Sequence, residues 1–308
     1  MKCSAIIHTY SIVARDPETG ELGVAVQSHY FAVGSVVPWV EANVGAVATQ
    51  AMGEPGYGRR GLDLMRAGKS APEALAQLLA DDVARETRQV AMIDSAGRVG
   101  VHTGAATVES AGHIAGDNFS VQGNMLLNGN VWPAMADAFA QTAGDLAARM
   151  LAALDAAEAA GGDIRGRQSA ALVVASGKPG APSWEKSFDL RVDDSPEPLV
   201  ELRRLLGMGR EMVRRGAAGA AASRGDFAAA AAELAAAGRD APETVENMYW
   251  RAILMAVMGR VDESIPLFRQ VFAHNRNWAT LTRRLPKSGL FPVDPRLLDR
   301  ILADSEAK

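Results

Sequence analysis

The chain offers almost no thiol chemistry. Of its 308 residues one is cysteine, Cys3, which excludes an internal disulfide framework and any zinc site built from several thiolates. Histidine is scattered: among His8, His29, His102, His113 and His274 no pair sits four apart with an acid between, so no metal site is expected. No apolar run approaches the roughly 18 residues that a membrane span requires. The opening "MKCSAIIHTYS" is too short and too polar at its end for a signal peptide, and a soluble cytoplasmic protein is the expectation. Positive charge is not in excess either. A net charge of -4 leaves no broad basic surface to hold a phosphate backbone, so nucleic acid is not an expected partner. Small polar or cationic ligands stay open.

What is present is enough apolar matter for a core. At 48% hydrophobic and 22% charged, the chain suits one large domain plus a smaller one, here 1–205 and 206–308. "SAIIHTYSIVARDPETGELGVAVQS" reads as two β-branched runs around the turn residues of "DPETGE", a hairpin. "NVGAVATQA" follows as a third strand, and its glycine and alanine imply a sheet closely covered by another layer. "YGRRGLDLMRAGKSAPEALAQLLADD" changes to helical period, with Ser70 and Glu73 forming a capping box and Pro72 in the first turn of a second helix. Strands return in "RQVAMIDSAGRVGVHTG" and "SAGHIAGDNFSVQGN". Two helices, "VWPAMADAFAQTAG" and "DLAARMLAALDAAEAAGG", precede further strands at "QSAALVVAS" and "SFDLRVDDSPEPL". Antiparallel groups of strands separated by helix pairs argue for an α+β fold and against βαβ alternation.

After Pro196 only helical pattern remains. Gly225 and Gly259 open similar turn-and-helix units 34 residues apart, the tetratricopeptide period. The alanine-rich stretch 217–237 has the propensity of an ordered helix.

No cofactor motif survives scrutiny. Gly68-Lys69-Ser70 invites a phosphate-loop reading, but the earlier glycine would fall at Asp63 and the segment follows a helix instead of a strand. Ser70 is a helix cap. Thr9 and Ser11 share one face of the first strand, since side chains two apart point the same way. As ordinary residues they are edge or surface hydroxyls; as chemistry, one is a nucleophile activated by a nearby base. A Ser-His-Asp triad is not assembled by the spacing, because no G-x-S-x-G elbow exists.

Six segments occurring in order, "TYSIVARDPETGELGVAVQSHYFAVGSVVPW", "NVGAVATQ", "YGRRGLDLM", "RQVAMID", "FSVQGNML" and "GGDIRGRQSAALVV", resemble domain-of-unknown-function family 1028, over about residues 8–205. The tail containing "RNWATLTRRLPKSGLFP" is similar to one labelled peptidoglycan-binding in some such proteins. The resemblance implies an Ntn-hydrolase-like fold, a four-layer αββα sandwich, with an all-helical tetratricopeptide-like C-terminal region. In Ntn hydrolases a terminal Thr, Ser or Cys attacks an amide carbonyl and its free α-amine is the base; an amine of pKa near 8 does this without histidine. Thr9 is internal here, preceded by "MKCSAIIH". Either the chain is cut before Thr9, or the site works without a terminal amine, or the scaffold has lost hydrolase chemistry. Ser11 and then Cys3 are the rival nucleophiles.

Other polar residues then acquire expected places. Gln27, Ser28 and His29 end the second strand beside the nucleophile, with Thr49 and Gln50 at the end of the third. Gln122 and Asn124 have amides suited to an oxyanion; as plain structure, Asn124 caps a turn. Asp163, Arg165, Arg167, Gln168 and Ser169 form a pocket wall, a guanidinium being suited to a substrate carboxylate, or else a loop stiffened by an Asp–Arg pair. The reading is an amidohydrolase opening a C–N bond of a small amide, ureido or N-acyl compound, with no cofactor and as a homo-oligomer. The competing reading is an inactive metabolite-binding scaffold whose helical tail recruits a protein partner.

Overall fold

A computed structural model describes residues 6–240, 244–291 and 294–306; Cys3 lies outside the described residues. The chain divides into two compact units, Met1–Leu206 and Gly207–Lys308. The first is a mixed α+β unit with two antiparallel sheets, and the second is helical.

The first sheet joins β1 (Ile6–Ile7), β4 (Pro38–Glu41), β5 (Gly45–Met52), β6 (Arg88–Asp94) and β7 (Val99–Thr103). The second runs β11-β10-β3-β2-β9-β8, from β2 (Tyr10–Arg15), β3 (Leu22–Ser28), β8 (Gly112–Gly116), β9 (Phe119–Gly123), β10 (Ser169–Ala175) and β11 (Lys186–Val192). Alternation along each strand sorts its side chains between two cores. On β2, Tyr10, Ile12 and Ala14 pack with Met135, Phe139, Met150 and Leu154 of α3 (Val131–Gln141) and α4 (Leu146–Ala159). Val13 turns the other way, into a core that mixes Val24, Val26 and Val173 of the second sheet with Ala46, Ala48, Ala91 and Ile93 of the first. Those alanines let the sheets approach closely. The outer face of the first sheet carries Val47, Val90 and Met92, covered by Tyr57, Leu62, Leu75 and Leu78 of α1 (Gly56–Arg66) and α2 (Ala71–Ala80).

Local signals set the helix starts. Ser70 Oγ accepts from the Glu73 amide while the Glu73 carboxylate accepts from the Ser70 amide at 2.8 Å, the expected capping box. Asp145 accepts from the Ala148 amide at 2.8 Å and starts α4.

Two features depart from the sequence reading. β4 was not foreseen: only Val40 of its four residues is buried, so it shows no alternation, and Pro38 is tolerated at the first position of an edge strand. The run "AIIHTYSIVAR" is also not one strand. Ile6 and Ile7 pair with Met52 and Ala51 of the first sheet, whereas Tyr10 onward belongs to the second. His8 and Thr9 carry the chain between them.

In the second unit, α5 (Pro198–Ser223), α6 (Phe227–Asp240), α7 (Val245–Val257), α8 (Val261–His274), α9 (Asn277–Arg284) and α10 (Pro295–Glu306) follow one another. α5 begins before the boundary between the units and continues past it. Gly225 and Gly259 both take left-handed φ, 77° and 79°, in the turns after α5 and α7, where a Cβ would be strained. Tyr249, Phe268, Phe272 and Phe291 form the aromatic centre of this unit. No helix among the described residues is long and apolar enough to cross a membrane.

The contact of α1 with β4 is tight enough to test. A Cβ on Gly58 would lie 2.2 Å from the Trp39 ring. Gly58→Ala is expected to destabilise the protein by about 1–3 kcal/mol through overpacking, read from urea unfolding midpoints.

Candidate functional site

The faces of the two sheets that meet are apolar at one end and polar at the other. Register explains the polar end. Ser11 stands opposite Gln122 of β9, and Gln50 of β5 opposite Gln89 of β6. Because Gln89 shares a face with Ala91 and Ile93, all four side chains enter the space between the sheets. Thr9, Ser11, Ser28, Gln50, Gln89, Ser120, Gln122, Asn124 and Ser169 are all fully buried, at 0% exposure. Polar groups so placed must find partners within the protein.

Those partners form a network whose direction can be deduced. Gln89 Nε2 meets the carbonyls of Gly123 at 2.8 Å and Gly112 at 3.1 Å and the Thr103 hydroxyl at 2.9 Å. Carbonyls only accept, so this end of Gln89 is the donor and its Oε1 the acceptor. Oε1 receives Gln50 Nε2 at 2.7 Å and Asn124 Nδ2 at 2.9 Å. Gln50 Oε1 therefore accepts the Ser11 hydroxyl at 2.6 Å, Ser11 Oγ accepts Gln122 Nε2 at 2.7 Å, and Gln122 Oε1 accepts the Ser120 hydroxyl at 2.9 Å. On the other arm, Asn124 Oδ1 accepts from His8 Nδ1 at 2.7 Å. Neutral His8 then carries its proton on Nδ1, leaving the Nε2 lone pair free of that proton.

His8 is gripped on its main chain as well. Its carbonyl accepts the Ser28 hydroxyl at 2.5 Å and Arg165 Nη2 at 2.8 Å. Arg165 is held by Asp163 through Nε at 3.0 Å and Nη2 at 2.7 Å. The Asp163 side chain is fully buried and also accepts the His29 amide at 3.1 Å. Thus a buried carboxylate aims a guanidinium at the carbonyl immediately preceding Thr9. The Thr9 hydroxyl itself donates to the Gln27 carbonyl.

The residues expected at a site separate accordingly. Thr9, Ser11, Ser28, Gln50, Gln122, Asn124, Asp163 and Arg165 come together around the His8–Thr9 peptide and the seam behind it. Gln27 contributes its carbonyl only: period two turns its side chain to the helix side, against the Tyr10 hydroxyl, with its NH2 toward Glu158 at 2.9 Å. Tyr10 OH donates to Glu158 at 2.7 Å, and burial pushes its ionisation well above the usual phenol range. Thr49 also faces outward, toward the Glu54 carbonyl. The His29 ring is exposed beside the Arg167 carbonyl. Arg167 does not reach the seam, being paired with Glu158 at 3.0 Å and with Glu197. Gln168 bonds to Asp194, and Ser169 bridges the Tyr30 carbonyl and the Val33 amide. His8, Gln89 and Ser120 were not anticipated, although a glutamine inside "RQVAMID" on the face of Ala91 and Ile93 is a buried polar residue that asks for an explanation.

The network makes two predictions. Gln89→Leu removes the acceptor of Gln50 Nε2 and Asn124 Nδ2 and the donor that meets two backbone carbonyls, and is expected to cost about 3 kcal/mol, whereas Ser120→Ala trims the end of the chain for about 1 kcal/mol; unfolding midpoints compare them. Burial holds the pKa of His8 below that of a free imidazole, with the Arg165 charge assisting and Asn124 and Asp163 opposing. The pKa of His113 is lowered by burial and by His102. For both, the folded pKa lies below the unfolded one, so their contribution is complete above about pH 6.5 and is lost as protons enter the unfolded state below it. Stability should fall as the pH drops below about 6.5, with a shallower slope in His8→Gln.

Comparisons with known proteins agree on one family. No curated protein matches the chain. Among solved structures, the chain is similar to the crystal structure of protein SPO2555 from Silicibacter pomeroyi, itself described by DUF1028, with 33% identity and a TM-score of 0.58 over 64% of this chain and 87% of that one. The profile "Family of unknown function (DUF1028)" matches residues 9–202. With that match covering more than half of its length, the chain belongs to the DUF1028 family.

Proposed function

We propose that the chain is an Ntn-type amidohydrolase, a four-layer αββα sandwich in which Thr9 opens a C–N bond of an amide, ureido or N-acyl compound. The observation that carries this reading is the clamp on the carbonyl before Thr9, made by the Ser28 hydroxyl and by Arg165. Two donors on one carbonyl, one of them charged, are what a developing oxyanion requires. The family match also begins at Thr9. The packing of a helix pair on the outer face of each sheet supports the fold assignment, and the step from fold to chemistry is analogy.

Activation comes first. The Thr9 hydroxyl adds to the His8 carbonyl carbon, the His8–Thr9 C–N bond breaks, and the resulting ester is hydrolysed by water to a His8 carboxylate and a free Thr9 α-amine. In turnover that amine takes the Thr9 hydroxyl proton as Oγ attacks the substrate carbonyl. The C–N bond breaks with the proton passing to the leaving amine, and water then releases the acid and restores Thr9. Ser28 and Arg165 hold the oxyanion, Asp163 orients Arg165, and the seam from Ser11 to Asn124 keeps the surrounding dipoles in place.

A second reading, a binding module without turnover, is favoured by the hydroxyls themselves. Thr9 donates to a backbone carbonyl and Ser11 to an amide oxygen, neither of which is a base. In that reading the helical second unit, tetratricopeptide-like by its glycine spacing, recruits a protein partner. Intact mass and N-terminal sequencing separate the two. The hydrolase reading expects a chain beginning at Thr9, an uncut chain in Thr9→Ala, and cutting slowed about 100-fold in Ser28→Ala. A chain that stays uncut, or an amide turned over equally by Thr9→Ala, defeats it.

A further inference from the structure

β1 and β4 lie on the same edge of β5, opposite β6. β4 covers Gly45–Ala48, and β1 covers Ala51 and Met52. An edge of this kind is a template for any extended chain: main-chain pairing supplies affinity and side-chain pockets supply selectivity. Ile7 is buried in the core between the sheets. His8, next along, is held from three further elements: Ser28 at the end of β3, Arg165 in the loop before β10, and Asn124 after β9. A crossing between sheets needs only satisfied polar groups. Here both the carbonyl and the side chain of one residue are read, by groups whose own orientations are locked by Asp163 and Gln89.

We propose that the Ala51–Met52 edge and the Ser28–Arg165–Asn124 pocket form a binding site for an extended peptidyl chain, filled in this protein by its own residues 6–8. The substrate class is then a peptidyl or N-acyl-aminoacyl amide. It carries an apolar residue where Ile7 lies and a hydrogen-bond donor where the His8 ring meets Asn124 Oδ1, with its carbonyl between Ser28 and Arg165. The proposal rests on the hydrolase reading for which bond faces Thr9; peptide recognition stands without it.

The test uses the full chain with its own segment loosened by Ile7→Asp, which places a carboxylate in an apolar core. The probe is fluorescein-labelled Ile-Ile-His-amide, followed by anisotropy. Saturable binding is expected in Ile7→Asp and at least tenfold weaker binding in Thr9→Ala, which stays uncut and keeps residues 6–8 joined to the chain. Replacing the probe's histidine by leucine, or adding Asn124→Leu, should weaken binding about tenfold, the effect of one unpaired hydrogen-bonding group. If Ile7→Asp lacks a cooperative unfolding transition, His8→Gly takes its place, since it releases the ring and keeps the core intact. A cooperatively folded variant that binds Ile-Ile-His-amide no better than Ile-Ile-Leu-amide overturns the proposal. Binding with no bond cut overturns the hydrolase reading alone; cleavage at Thr9 of amides unrelated to the probe, with no preference for it, overturns the peptide proposal alone.

Discussion

The two amide hydrogens of Gln89 are committed to oxygen atoms of Gly112, Gly123 and Thr103, and that commitment decides how the chain of side-chain amides and hydroxyls running from Ser120 to His8 is oriented. With Gln89 Oε1 made an acceptor, Gln50 and Asn124 have one satisfactory orientation each. Ser11, Gln122, Ser120 and His8 follow from those two. A buried polar group left unpaired costs roughly 1–3 kcal/mol, against a typical total stability of about 5–15 kcal/mol. The network therefore has little tolerance for partial formation, and the sheets must meet in one register for the fold to persist.

Under the proposed hydrolase reading, this constraint bears on function through His8 and Thr9. The peptide between them sits where the chain leaves one sheet for the other, so its carbonyl does not belong to either ladder. It is received by Ser28 and Arg165 instead. A rigid lattice of amides behind this carbonyl supplies fixed dipoles in surroundings closed to water, the condition under which electrostatic stabilisation is largest. Asp163 acts to the same end, because its carboxylate offsets the guanidinium of Arg165 and fixes the direction in which that charge points.

Much of the architecture was legible from periodicity. The hairpin β2–β3, the capped helix α2, the pair α3 and α4 and the switch to helices after Pro196 all follow local rules of alternation, capping and turn chemistry. β4 escaped because a short edge strand carries no alternation. The division of "AIIHTYSIVAR" between two sheets escaped because both halves are apolar and extended, and extended sequence does not name its partner. Among site residues, hydroxyl and amide positions were visible as types. Grouping Gln27 with Ser28 ignored the alternation that sends adjacent side chains to opposite faces, and Arg167 was indistinguishable from Arg165 until Glu158 and Glu197 were found beside it.

By itself the sequence determined the family, the order of all the helices and of the strands other than β1 and β4, and the presence of unusually polar residues in strands otherwise rich in alanine and valine. Such features are local, and the chain carries them wherever it goes. Tertiary structure alone decided which of those residues share a space. Thr9, Gln50, Gln89, Asn124 and Arg165 come from four strands or strand ends and one loop, and only the stacking of one sheet on the other brings them together. Within the polar loop 161–169 only Arg165 bonds to the His8 carbonyl, because the buried carboxylate of Asp163 turns that one guanidinium inward.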